Sequence, residues 1–225
     1  MPDAIWTRYE VRWQFTGRLC GSVPQRAELI KAWLDARAPE RIPAAVAAGE
    51  APTLADLEQE VIATLPDQPE TDAEMVERIT LGFQQNAAGL FVRGGTVKAH
   101  LKDCANQLQK PLDFKNLRSH VANAVYVAED EIALGRAQHD GEFEQPVHAM
   151  TARGPRNSLK RIRTLDRPAI TFHLQVLLAR LQDQTHRKGE DVLRTILDYG
   201  SIHGYGGERG MGNGRYTWTL TEIEA

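Results

Sequence analysis

Residues 200–216 read Gly-Ser-Ile-His-Gly-Tyr-Gly-Gly-Glu-Arg-Gly-Met-Gly-Asn-Gly-Arg-Tyr and hold seven of the chain's eighteen glycines. Glycine loses more conformational freedom on folding than any other residue. A cluster this dense therefore serves either positive φ angles or the close approach of another molecule to the main chain. Arg209 and Arg215 favour an anionic visitor, and His203 can act as an acid or a base. Five cations without an intervening acid follow a different pattern: Arg153, Arg156, Lys160, Arg161 and Arg163. That density suits a strip of phosphate contacts, and it suits a solvated basic hairpin equally well.

Residues 93–108 make a third candidate. Two glycines are followed by Thr96, which can cap a helix, and then by Val97, Leu101, Cys104, Ala105 and Leu108 at helical spacing. The order is strand, glycine turn, helix N-terminus. Unsatisfied N–H groups and the positive end of the helix dipole draw anions to such a junction, and Lys98 and Lys102, one turn apart, reinforce it. The alternative is a plain Gly-Gly cap. Neither the GxxxxGK[ST] spacing of a P-loop nor a GxGxxG dinucleotide fingerprint occurs here.

Composition bounds the classes. With 225 residues, 42% hydrophobic and 25% charged, the chain reads as a single globular domain. No run approaches the ~18 apolar residues of a membrane span, and the N-terminus lacks the form of a secretory signal, so a cytoplasmic protein without membrane contact is expected. Cys20 and Cys104 are too few for a disulfide framework and have no CxxC partner, which makes them structural thiols. No metal site and no cofactor are expected, because neither an HExxH nor a paired-cysteine pattern is present. The net charge of −3 hides an asymmetry: acids gather between residues 50 and 77, bases later.

The positioning elements follow from periodicity. Tyr9, Val11, Trp13 and Phe15 alternate with Arg8, Glu10, Arg12 and Gln14, the pattern of a half-buried strand. Residues 25–37 read as an amphipathic helix, 38–52 as a Pro/Ala-rich linker and 54–65 as a second helix, so that 38–78 forms an acidic helical insertion. Residues 79–83 and 89–93 can pair as a hairpin around 84–88, or a helix can extend into this stretch. A helical turn or two is expected within 114–124 and a strand or hairpin over 125–134. The basic residues fall in a hairpin or loop over 139–167. A strand over 169–178, a helix over 189–199, the glycine cluster and a strand over 215–220 complete the chain. This order favours an α+β fold with helices on one face of a largely antiparallel sheet.

The small-residue turn Leu19-Cys20-Gly21-Ser22 after the first strand, the segment Leu90 to Asp103, and the helix, glycine loop and strand at the end together resemble the RAMP superfamily, the repeat-associated mysterious proteins of CRISPR systems. Residues 92–102 follow that family's glycine–hydroxyl–hydrophobic–lysine segment, with Lys98 at the lysine and Lys102 at the basic end. Arg93, Gly95 and Ala99 depart from it, standing where proline, a small hydroxyl residue and glycine are usual. The resemblance implies a ferredoxin-like or RRM-like antiparallel sheet and a backbone-type subunit that holds CRISPR guide RNA in a ribonucleoprotein complex. Its partners would be that RNA and other subunits, or further copies of itself. The RNA-binding candidates are Gly21, Ser22, Arg93, Lys98, Lys102, Arg153, Arg156, Lys160, Arg161, Arg163, Arg209 and Arg215. The aromatic motifs of an ordinary RRM are absent, so stacking of bases on the sheet is not expected. His203 is the runner-up catalyst for a metal-independent endoribonuclease, a reading ranked below binding. A protein-interaction module is the third reading.

Overall fold

The computed structural model describes residues 5–25, 78–151, 154–182 and 187–224. The expected acidic insertion, the helices on either side of residues 38–52 and Arg153 fall outside the described residues, apart from the terminal Gln25 and Arg78. In chain order the structure has β1 (Thr7–Phe15), β2 (Arg18–Cys20), β3 (Val23–Pro24), β4 (Arg78–Gly82), β5 (Gln84–Asn86) and β6 (Gly89–Arg93). There follow α1 (Gly94–Leu108), α2 (Leu117–Ala124), β7 (Val125–Val127), β8 (Glu131–Ala133), β9 (Gly141–Thr151) and β10 (Gly154–Asp166). Last come β11 (Ala169–Val176), α3 (Leu178–Leu181), α4 (Gly189–His203), a 3-10 turn at Arg209–Met211 and β12 (Tyr216–Ile223). They form two compact units, one of Met1–Leu19, Phe91–Arg136 and Leu165–Ala225, the other of Cys20–Leu90 and Ala137–Thr164.

The first unit carries a four-stranded sheet in the order β12-β1-β11-β7, antiparallel at each pairing. The first strand of the set in sequence, β1, is followed by α1 and α2, then by β7 and β11, then by α4 and β12. This is a βαββαβ ferredoxin-like connectivity, with the fourth strand beside the first and the third between the first and second. The α+β expectation therefore holds, with helices against one face. Tyr9, Val11, Trp13 and Phe15 are buried, as are Ile170, Phe172, Leu174 and Val176 of β11, while the alternate residues of both strands look outward. The period-two pattern specifies this register, since a slip of one residue would turn the four buried side chains of the slipped strand to water. Each such apolar side chain stabilises the fold by about 1.5–3 kcal/mol through burial.

α1 buries Val97, Leu101, Cys104, Ala105 and Leu108, the stripe expected from spacing, and adds His100. Its start differs from expectation. Gly94 and Gly95 form the first turn of the helix rather than a turn before it, and Arg93 is the N-cap without a side-chain cap. Thr96 instead donates its hydroxyl back to the Arg93 carbonyl at 2.7 Å. α4 also runs four residues past the expected end at 199, so His203 is its last residue. The stretch 125–134 becomes two strands of different sheets, β7 on β11 and β8 on β6, because the chain turns at residues 128–130 to meet α1.

In the second unit β9 and β10 make a long antiparallel hairpin. β4 adds to β10 in parallel, and β3 adds to β4 in antiparallel. The expected pairing across residues 84–88 is displaced: β5 and β6 are the hairpin neighbours. Asn86 Oδ1 accepts the Ala88 N–H at 2.8 Å, a side-chain turn that brings the reversal to residues 87 and 88.

Candidate nucleic-acid interface

In the first unit the glycine-rich loop between α4 and β12 sits on the first turn of α1. Thr96 Oγ1 and the Tyr205 hydroxyl are 2.5 Å apart. With the Thr96 proton directed at Arg93, Tyr205 is the donor in this bond. Burial pushes the Tyr205 phenol up to about 12, which keeps that proton in place. The two ends of the loop are tyrosines packed on Trp13, Tyr216 stacked with ring centroids 4.3 Å apart and Tyr205 edge-on at 5.6 Å. Inside the loop the Tyr205 N–H donates to the Gly214 carbonyl and the Gly214 N–H to the Arg18 carbonyl, both at 2.9 Å.

The glycines divide by cause. Gly214 has φ 75°, and a Cβ there would overlap the Tyr205 backbone. At Gly94 a Cβ would overlap the Glu129 carbonyl, and the Gly94 N–H already donates to the Asp130 carbonyl at 2.9 Å. The fold itself demands these two. Gly95 and Gly210 are exposed, and a Cβ at either would meet nothing within 4 Å.

A charged cluster links loop and helix. Arg209 Nη1 lies 3.1 Å from Asp103 Oδ2 and 2.8 Å from His203 Nε2, and His203 Nε2 is 3.2 Å from the same Asp103 oxygen. An imidazole nitrogen that accepts from Arg209 has no proton for Asp103, so the two histidine contacts exclude one another as hydrogen bonds. Partial burial works to raise the Asp103 carboxyl, but the hydrogen bond and charge of Arg209, with His203 beside it, outweigh that and hold it below the usual value. The His203 ring stacks on Tyr199 at 5.4 Å and on His100 at 6.2 Å. Burial, then the charges of Arg209 and His203, push His100 down to about 3, so it is a neutral partner of the Tyr216 hydroxyl at 3.1 Å.

The remaining expected residues are scattered. Arg93 is half-buried with its guanidinium carbon 5.9 Å from the Phe91 ring centroid, and Lys98 and Lys102 are half-buried on α1. Arg215 is exposed and its carbonyl accepts from the Thr16 N–H. In the second unit the Gly21 N–H donates to the Arg163 carbonyl at 2.9 Å, and Ser22 is half-buried. Arg156 lies in β10 opposite Ala149. Lys160 is half-buried opposite Gln145. Arg161 bonds its cross-strand partner Glu144 at 3.1 Å and faces Glu142 at 3.8 Å. Arg163 is only 4% exposed, its Nη1 donating to Gln25 Oε1 at 3.0 Å. Sequence reasoning missed Asp103, Thr96 and Tyr205 as the link between helix and loop. No linear signal marks them, because Asp103 is 106 residues from Arg209.

Among the described residues no group of three or more His, Cys, Asp or Glu is placed to hold a metal ion, and no helix is long and apolar enough to cross a membrane. No family model and no curated protein match the chain. Among solved structures it is similar to a chain of the Type III-B Cmr-beta complex bound to cognate target RNA, with 10% identity and a TM-score of 0.45 over 96% of this chain. It spans 61% of that chain's length. It is also similar to a chain of a Type IV-B CRISPR complex, with 11% identity and a TM-score of 0.44 over 95% of this chain and 90% of the other.

Proposed function

We propose that the protein is an RNA-binding subunit of a CRISPR ribonucleoprotein complex and holds guide RNA by its phosphate backbone. The observation that carries this reading is the pairing of α1's first turn with the glycine-rich loop through Thr96 and Tyr205. It puts two exposed glycines that the fold does not require, Gly95 and Gly210, in one assembly with Arg209. Phosphate contacts from loops and helix termini position RNA without reading its sequence. Lys98, Lys102 and Arg215 extend the cationic set. The βαββαβ sheet and the sequence resemblance to the RAMP superfamily support the same reading, with other subunits or copies of itself as partners. Purification from the host with sequencing of bound nucleic acid tests it. The expected result is RNA with a regular protected footprint and salt-sensitive binding. Protein free of nucleic acid, or binding indifferent to salt, overturns it.

The contact of His203 with both Arg209 and Asp103 favours a second reading, metal-independent cleavage of RNA through its 2′-hydroxyl. It requires cleavage of repeat RNA in EDTA that is lost in His203→Ala. Unchanged cleavage in that variant removes the role.

A further inference from the structure

The face of the first unit's sheet opposite its buried residues carries a row of four side chains that the reading above does not use. Arg8 of β1 is paired with Ile223 of β12 on one side and with Gln175 of β11 on the other, and Gln175 is paired with Tyr126 of β7. Directly opposed residues in neighbouring strands share a face. The flanking pair Val125 and Val176 is buried, which puts Tyr126 and Gln175 outward. Arg8 and Gln175 are exposed and Tyr126 is 43% exposed. A cavity of about 260 Å³ opens on the row, lined by Arg8, Gln175 and Ile223 together with Ala128, His173 and Leu174.

The chemistry along the row changes in steps. Tyr126 is an aromatic plate, set edge-on to Trp6 with ring centroids 5.6 Å apart, and the Lys98 ammonium lies 3.8 Å from its centroid. Aromatic rings stack bases with little regard to sequence. Gln175 offers both a donor and an acceptor, the pattern needed for a base edge. Arg8 offers a guanidinium fork for phosphate. Strand spacing sets Tyr126 and Arg8 about 10 Å apart along the row, room for one nucleotide laid across it. Next to the row, Glu129 holds the His173 ring at 2.5 Å and its backbone N–H at 2.9 Å, which fixes one wall of the cavity.

We propose that this row is a nucleotide subsite for single-stranded RNA, with a base stacked on Tyr126, its edge on Gln175 and its phosphate on Arg8. The proposal rests on the RNA-binding reading but uses none of its glycine-loop residues. Binding of a fluorescein-labelled oligouridylate to the full chain tests it, together with ultraviolet crosslinking and mass spectrometry of the joined peptide. Tyr126→Leu should weaken binding about five- to a hundred-fold. Arg8→Ala should lower the slope of log affinity against log salt by about 0.7. The crosslink should fall on the peptide containing Tyr126 or Trp6. Wild-type binding with both variants unchanged and crosslinks confined to residues 204–214 overturns the row and leaves the loop reading standing. Absence of any RNA binding by the wild type, where circular dichroism shows folded protein, overturns both.

Discussion

The glycine loop of the first unit and the basic strand β10 of the second both read as phosphate sites in the sequence, and the structure treats them differently. Along β10 the cations are distributed by the sheet: Arg161 is taken up by carboxylates of the neighbouring strand and Arg163 is drawn into the interior. In the loop the backbone is on offer, held open by glycines, and the arginine is held at its edge by Asp103. The density of charge along a chain thus says little about the surface it makes. Arg161 and Arg163 stand two residues apart and so share a face of β10, yet one meets the carboxylates of β9 and the other is covered and bonded by Gln25, whereas a loop tied at both ends keeps its members together.

Breaking each region in turn sharpens the contrast. The largest effect is expected from Gly214→Ala, which combines a left-handed backbone with overlap on the Tyr205 main chain. A loss of about 3 kcal/mol should appear as a fall in Tm on the order of 10 °C. An unshifted melting curve would show that the loop does not depend on this turn. Arg163→Ala removes a buried guanidinium bonded to Gln25 and should cost about 2 kcal/mol, with RNA affinity unchanged in the fraction that remains folded. If RNA affinity drops while Tm holds, β10 is the interface after all.

Arg209→Ala should behave in the opposite way. Its ion pair with Asp103 is part-exposed, worth under about 1 kcal/mol, so Tm should move little while RNA affinity falls about ten-fold at moderate salt. Equal losses in Arg209→Ala and Arg161→Ala would erase the distinction between the regions. A last variant separates stability from pH. His100 is lowered from 6.5 to about 3 in the fold, so the unfolded chain binds the proton first. The stability its neutral form contributes is complete above pH 6.5 and is lost as pH falls towards 3. His100→Gln should flatten the decline of Tm across that window, and an unchanged slope would place the proton uptake elsewhere.

Much of the first unit was legible from periodicity. The alternation of β1 and β11 emerged residue for residue, and the stripe of α1 did so but for the added His100, because burial on one face of a regular element leaves a repeating trace. The glycine cluster was legible as a loop, but not which of its glycines serve the fold, since Gly214 is fixed by a backbone contact with Tyr205 while a Cβ at Gly210 would meet nothing within reach. Arg163 looked like its basic neighbours, and only the pairing of β10 with its sheet moved it inside. The row from Tyr126 to Arg8 was invisible for a related reason. Its members come from three strands far apart in sequence, so no linear motif marks them.

The tyrosines at the two ends of the loop carry a kinetic consequence. With Tyr205 and Tyr216 already packed on Trp13, the loop is ordered when the chain folds and not when a ligand arrives. On the proposed RNA-binding role, association at this loop would draw on a preformed surface and lose little conformational entropy at the moment of contact. Stopped-flow mixing with RNA should show a single phase whose rate rises linearly with RNA concentration. A plateau at high concentration would mean that a rearrangement of the loop gates entry.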